Sequence, residues 1–595
     1  MKTKFATYIQ LYSKSLSEFF KASPLYALIM FFLIPVQSIL PAVIIASSQA
    51  LLSALTTGNP ITNSLIVWGI SVTAARVFSP IVTLTQGLLT DRLVAHINSA
   101  LMLHSKKLKG ISAFETASYY DELEFIRSEA SWRPVNLIVF GLSLLRDFLT
   151  AISYVVLLMQ FQWWLTLLVV IPAIPQAFIT YRIQQDAFET MVDRSPQSRK
   201  MQYYAQVLLT NTDAKEIRMF NAFDFFIKRY QTTFNQIHQQ LKSVRFKQMR
   251  VSTFFAIVNG TALVVSLYFV VKGISSGQYQ SASLLTFTAA VVAFGQNLGA
   301  LVEETSLLYD SLLFMKKYYS FLHKPDTLTL ARHGKDVRIP FEIEFKNVSF
   351  VYPETNNQVL QGISFKINAG EKIAIVGENG SGKSTIVKLL LRLYDPSQGT
   401  ISINRVPLSS LDLDTYRNHI RVVFQDFSKF NLSLRESVQI ADPQDGSDAD
   451  VIRALDKASA YHSFINQGVT LDTHLGKQYE DGAEVSGGQW QKIAISRAFY
   501  MDNKAGLAIL DEPTAAIDPR SEFEVYQHFS ELSKNKTVVF VTHRLSSVLM
   551  ADRVLFLKTG KLAGFAPHEI LMKTNSEYAS MYRMQAESYV KGLTK

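Results

Sequence analysis

The chain has 595 residues, 48% of them apolar, a formal net charge of +10 and no cysteine. That length exceeds a single domain, and the lack of cysteine excludes disulfides, thiolate metal sites and a cysteine nucleophile. The charge would suggest a nucleic-acid partner in a soluble protein. Its placement argues otherwise: residues 182–250 hold twelve Lys and Arg, 53–62 and 158–162 hold none, and 272–280 holds only Lys272. That asymmetry follows the positive-inside rule of membrane proteins, so no nucleic acid is expected.

The chain begins MKTKFATYIQLYSKSLSEFFKASP. Ser17, Glu18 and Lys21 interrupt any apolar core, so the segment is not a secretory signal. It reads as an amphipathic helix along the inner membrane surface. Six apolar runs long enough to span a bilayer follow, at 25–52, 63–90, 135–160, 163–182, 251–273 and 281–305. Short gaps join the first to the second, the third to the fourth and the fifth to the sixth. The two longer intervals carry the positive charge and still read as helix, so the helices should run past the membrane on the inner side as two long hairpins.

Charges within the spans need a partner or a water-filled cavity. Arg76 lies near mid-membrane in the second run, Arg146 and Asp147 interrupt the third, and Glu303 and Glu304 sit near the inner end of the sixth. On one reading Arg76 pairs with an acidic group and locks two helices together. On the other, some of these groups line a substrate path.

From about residue 340 the texture is that of a soluble α/β protein. The expected organisation is an all-α six-helix transmembrane domain (1–323), a linker (324–340), an α/β P-loop nucleotide-binding domain (341–585) and a tail (586–595). The apolar run KIAIV leads into Gly377-Glu378-Asn379-Gly380-Ser381-Gly382-Lys383-Ser384-Thr385, and a helix-forming run follows. Strand, glycine loop and helix form the setting in which backbone N–H groups cradle phosphate. Lys383 should reach the β and γ phosphates, Ser384 should ligate Mg²⁺, and Thr385 should lie near the α phosphate. Farther on, LAIL ends at Asp511-Glu512, where Asp511 suits the Mg²⁺ shell and Glu512 a general base that activates water. Between them lies Ser486-Gly487-Gly488-Gln489, directly before a helix. It is a second phosphate-cradling arrangement with no role in a one-chain site.

These motifs in this order resemble the ATP-binding cassette exporters, in the form of a half-transporter, over nearly the whole chain. In that family two cassettes sandwich two ATP molecules, each held between one chain's P-loop and the other's signature. The resemblance implies a homodimer binding ATP and Mg²⁺ in a bacterial cytoplasmic membrane, multi-pass, with the nucleotide-binding domain in the cytoplasm. It assigns Tyr352 to adenine stacking, Gln425 to Mg²⁺ contact, Ser486, Gly488 and Gln489 to the signature, Asp518 to the loop joining the two sites and His543 to the γ phosphate. Val485 and Ala515-Ala516-Ile517 depart mildly from the family pattern. An intact Glu512 favours two competent sites and hence a homodimer, though the competent half of a heterodimer would look the same. The phrases FQDFSKFNLSLRESV and DGAEVSGGQWQKIAISRAF are similar to those of lantibiotic and peptide exporters. The expected function is therefore ATP-driven export of a peptide or other small molecule, without processing of the cargo. A multidrug exporter or lipid flippase is the alternative, and a nucleotide-gated channel or regulator the remote one. Segments 114–121 and 213–220 are expected to couple the hairpins to the cassettes.

Overall fold

In a computed structural model the structure describes residues 2–58, 60–191, 196–210, 213–331, 334–443, 446–500, 502–512, 524–525, 527–528, 536–542 and 548–593. The chain forms two units, one of residues 1–105 and 121–324, the other of 106–120 and 325–595. The segment 106–120, expected within the membrane half, thus clusters with the cassette.

The first unit is helical. Helix α1 (Lys2–Ala22) precedes α2 (Pro24–Thr57) and α3 (Thr62–Lys107). The second unit contributes α4 (Ser112–Glu115), and α5 (Ala117–Glu129) leads back to α6 (Arg133–Leu158) and α7 (Trp163–Met191). Next come α8 (Pro196–Leu209), α9 (Ala214–Met219), α10 (Phe223–Ser275) and α11 (Ala282–Leu322). Six of these are long and apolar enough to cross a membrane: α2, α3, α6, α7, α10 and α11. At about 1.5 Å per residue, the 46 residues of α3 and the 53 of α10 far exceed a hydrocarbon core of about 30 Å. These helices therefore continue into water, as the long polar intervals suggested. At most 39% of any span's most apolar stretch is buried inside the chain. The rest must face lipid or another subunit.

Helix α1 is docked rather than merely laid on a surface. Ser15, Glu18 and Phe19 are buried. Glu18 accepts from Lys21 at 2.8 Å and meets His96 of α3 at 3.1 Å, while the Tyr12 hydroxyl donates to the Gly141 carbonyl of α6 at 2.8 Å. The lock between helices that one of the two readings gave to Arg76 is made by other arginines. Arg146 meets Asp147 at 2.7 Å and Glu304 of α11 at 3.6 Å, and Arg133 pairs with Glu129 and with Asp310 of α11. Arg76 is exposed, with no ion pair among the described residues.

The second unit contains two sheets. The antiparallel one runs β2 (Gln358–Ile367), β1 (Ile343–Val351), β4 (Gln398–Ile403), β5 (Val406–Pro407). The six-stranded one runs β10 (Lys561–Ala566), β9 (Arg553–Lys558), β3 (Lys372–Gly377), β8 (Thr537–Val541), β7 (Leu507–Asp511), β6 (Ile420–Val423). Strands β9, β3, β8, β7 and β6 are parallel, and β10 returns antiparallel. Strands β7 and β8 are buried at every position, as expected of unbroken apolar runs covered on both faces. One face packs against the antiparallel sheet, the other against helices that include Gly487–Phe499. In such a sheet ligands bind at the C-terminal strand ends, where β3 and β7 deliver Gly377 and Asp511.

Candidate functional site

Strand β3 ends at Gly377, and the helix Lys383–Leu390 begins six residues later. The loop must turn sharply against β9. Gly377 has φ 153°, and a Cβ there would meet the Leu557 carbonyl oxygen at 2.3 Å. Gly382 has φ 102°, a conformation that disfavours any side chain, and a Cβ would strike Leu360 at 2.5 Å. A side chain at Gly377 would have to move the β9 backbone, and one at Gly382 would have to displace the Leu360 side chain. The first-turn N–H groups of the helix are left pointing into the loop, a ready anion seat.

Lys383 is buried, and its ammonium donates to the carbonyls of Gly377 at 2.9 Å and Glu378 at 3.0 Å. Burial lowers its pKa, while Glu512 and Asp511 oppose the shift. The cation is thus held over the loop by weak neutral acceptors that an anionic oxygen would outcompete. A cavity of about 660 Å³ opens here, lined by Tyr352, Val359, Asn379, Gly380, Gly382, Lys383, Ser384, Thr385, Gln425 and Glu512. The Tyr352 hydroxyl bonds the Thr385 hydroxyl at 3.1 Å, which fixes the ring at one rim. Gln425 donates to Glu512 at 2.8 Å at the other. Ser381 is buried with its hydroxyl unpartnered, and the Glu378 side chain turns to a neighbouring hollow beside Lys558.

Asp511 ends β7 behind this cavity. It is buried, one carboxylate oxygen has no hydrogen-bond partner, and its pKa is pushed up to about 6. Burial is the main cause, then the charges of Glu512 and Asp426, offset by Lys383 and the Ser384 hydroxyl. Glu512, the next residue, turns at φ 46° and brings its carboxylate to the cavity.

The signature lies elsewhere. Ser486 is the N-cap of the helix Gly487–Phe499: its hydroxyl accepts from the Gln489 N–H at 3.3 Å, and Gln489 accepts from the Ser486 N–H at 3.0 Å. The serine O–H proton is not used by this cap, so it remains a donor for an outside oxygen. Gln489 also donates to Gln467 at 2.9 Å, so its side chain serves the cap and its neighbour. Ser486 and Gly487 are exposed, and none of the four signature residues lines the P-loop cavity. The fold thus gathers Tyr352, the glycine loop, Gln425 and the acidic pair, and leaves the signature outside. Asp518 and His543 lie outside the described residues. Val359 went unread because an alternating strand gives no sign of which residue faces a ligand.

Helix α4 reaches the same helix from behind. The Ile111 N–H donates to the Leu393 carbonyl at 3.2 Å, and Glu115 meets Lys388 at 2.8 Å and bonds the Tyr394 hydroxyl. Segment 213–220 forms α9 in the first unit, with Met219 and Phe220 exposed.

Fold and site together are similar to those of the ATP-binding cassette exporters, in the form of a half-transporter. The ABC transporter family model matches residues 360–515. Among known proteins, the subtilin transport ATP-binding protein SpaT of Bacillus subtilis is 29% identical over 570 residues, covering 94% of this chain and 91% of its own. The nisin transport ATP-binding protein NisT of Lactococcus lactis subsp. lactis is 27% identical over 578 residues, 96% of this chain and 95% of its own. An ATP-dependent lipid A-core flippase of Alcanivorax borkumensis is 40% identical, but over 42% of this chain and 41% of its own. A solved bacterial Atm1-family ABC exporter with ATP bound superimposes with TM-score 0.78 at 19% identity, covering 94% of this chain and 98% of its own. The chain is a multi-pass cytoplasmic-membrane protein with its cassette in the cytoplasm, and it couples ATP hydrolysis to export.

Proposed function

We propose that two copies of this chain form a homodimer that exports a peptide. The observation that carries the cargo reading is the full-length match to SpaT and NisT, which includes the membrane half, where cargo must pass. A lipid flippase is the second reading, favoured by relatives of that name at 28% identity over 75% of the chain.

In this reading each ATP lies on one P-loop and is closed off by the partner's signature. Tyr352 stacks on the base, the loop N–H groups and Lys383 hold the phosphates, and the partner's exposed serine turn donates to the γ phosphate. Asp511, Ser384 and Gln425 are oxygen donors suited to Mg²⁺, and the unpartnered oxygen of Asp511 fits a hard cation. When bound, that ion would offset phosphate charge. Glu512 sits at the cavity edge, within reach of Gln425, and takes the proton from the attacking water. Asp518 and His543 are assigned the joining loop and γ-phosphate contact.

Exchange of Glu512 for Gln should leave ATP binding intact and lower hydrolysis by about 10²–10⁴-fold. Wild-type turnover would remove the base assignment. The cargo is tested by ATPase stimulation in lipid nanodiscs, with peptides and phospholipids compared side by side. Stimulation by phospholipid alone would replace the peptide reading with the flippase.

A further inference from the structure

Helices α7, α10 and α11 enclose a pocket of about 200 Å³ that the nucleotide chemistry does not use. Its polar walls are Gln176 and Thr180 of α7, Asn259 of α10 and Glu303 of α11, and its floor is apolar. Gly295 and Gly299 are part of its lining, and a Cβ built on either meets nothing within 4 Å.

The one formally charged residue lining this pocket is an acid, Glu303. Asn259 donates to Gln176, which leaves the Asn259 carbonyl oxygen as an acceptor. If both amides are turned over, the oxygen left is that of Gln176. Thr180 adds a hydroxyl, and Glu303 adds a carboxylate with no ion pair or hydrogen bond among the described residues. Glu304, next in the chain, is directed to Arg146 at 3.6 Å and leaves Glu303 alone. Arg182, near Thr180 on α7, is stacked on Phe178 at 4.7 Å. Glu303 lies 21 residues into α11. At about 1.5 Å per residue, it is about 30 Å from the outer end, at the inner mouth of the span. Glu303 is exposed there, so an incoming cation reaches its carboxylate without displacing a protein partner.

We propose that this pocket is a cargo subsite for a cationic nitrogen group, an ammonium or guanidinium, with Glu303 as counter-ion. The inference rests on the peptide reading, in which a lysine or arginine side chain or the amino terminus would supply the group. The neutral oxygens take the remaining N–H donors, and the apolar floor takes the aliphatic stem.

The test uses the full-length protein in nanodiscs and a short amidated peptide carrying lysines, beside the same peptide with every amine acetylated. The amine form should stimulate ATPase at a concentration about 10-fold lower than the acetylated form, a preference of about 1.4 kcal/mol. Glu303→Gln should abolish that preference with basal ATPase unchanged, and Glu303→Asp should restore most of it. Gly299→Val, which adds bulk to the pocket lining, should raise the half-maximal concentration for the amine form. Equal stimulation by both forms in the wild type overturns the subsite and leaves the peptide reading standing. A change in basal ATPase with Glu303→Gln as large as the change in stimulated ATPase also overturns it, because the carboxylate then holds the fold. If neither peptide stimulates and phospholipid does, subsite and peptide reading fall together.

Discussion

Asp511 shows how a catalytic centre trades stability for function. Its folded pKa of about 6 lies above the ordinary aspartate value of about 3.9. A raised acid is stabilising while protonated, so the contribution is complete below pH about 4 and is lost as pH rises through about 6. The strain in nucleotide-free protein at pH 8 is then on the order of 2–3 kcal/mol. Asp511→Asn should therefore melt higher than wild type at pH 8 when nucleotide-free, the gap should be about halved at pH 5, and the two should converge only at pH about 4. Differential scanning of the detergent-purified protein reads this directly, and a pH-independent difference would refute it. Arg76 belongs to the same scale. Exposed at mid-span with no ion pair among the described residues, it is free to meet an acidic group of cargo. Arg76→Ala should reduce cargo-stimulated ATPase more than basal ATPase. Equal loss in both would assign it to the fold.

Among the elements, the contact between α4 and the P-loop helix joins docking to the nucleotide. Glu115 holds Lys388, one turn beyond Lys383 on the same helix, and the Lys388 ammonium lies 5.3 Å from the centre of the Tyr352 ring. Burial would lower the pKa of Lys388, but Glu115 and Tyr352 outweigh it and raise it. The cation thus stays charged between α4 and the Tyr352 ring. The pair is part-exposed, worth about 0.5–1 kcal/mol, so Glu115→Ala should not unfold the cassette. It should lower the ratio of cargo-stimulated to basal ATPase severalfold, and an unchanged ratio would make the contact incidental. The glycine loop belongs here too. Gly377→Ala drives a methyl into the β9 backbone, so the defect should appear as lost ATP binding and a lower melting temperature together. Segment 114–121 was legible as a turn between long helices. Its partners were not, because Lys388 and Tyr394 are more than 270 residues away and no local pattern marks them.

For the molecule as a whole, the signature stands apart from the P-loop cavity of its own chain. A dimer that closes two shared sites predicts disulfide formation between Ser384→Cys of one copy and Ser486→Cys of the other. The native chain has no cysteine, so the bond can be read without background on a non-reducing gel. Crosslinks found only within one chain would end the shared-site reading. The six spans and the phosphate loop were open to a reader of residues alone, since each depends on neighbours in sequence: about 20 apolar residues to cross lipid, and glycines where a backbone turns against a strand. Which charges pair was not open in that way. Arg146 rather than Arg76 ties α6 to α11, α1 docks by a polar face, and Glu303 and Glu304 part to different surroundings though adjacent. Those outcomes come from helix rotation and packing, where one step along a helix turns a side chain by about 100°, and only the assembled bundle decides which of two neighbouring charges meets a partner.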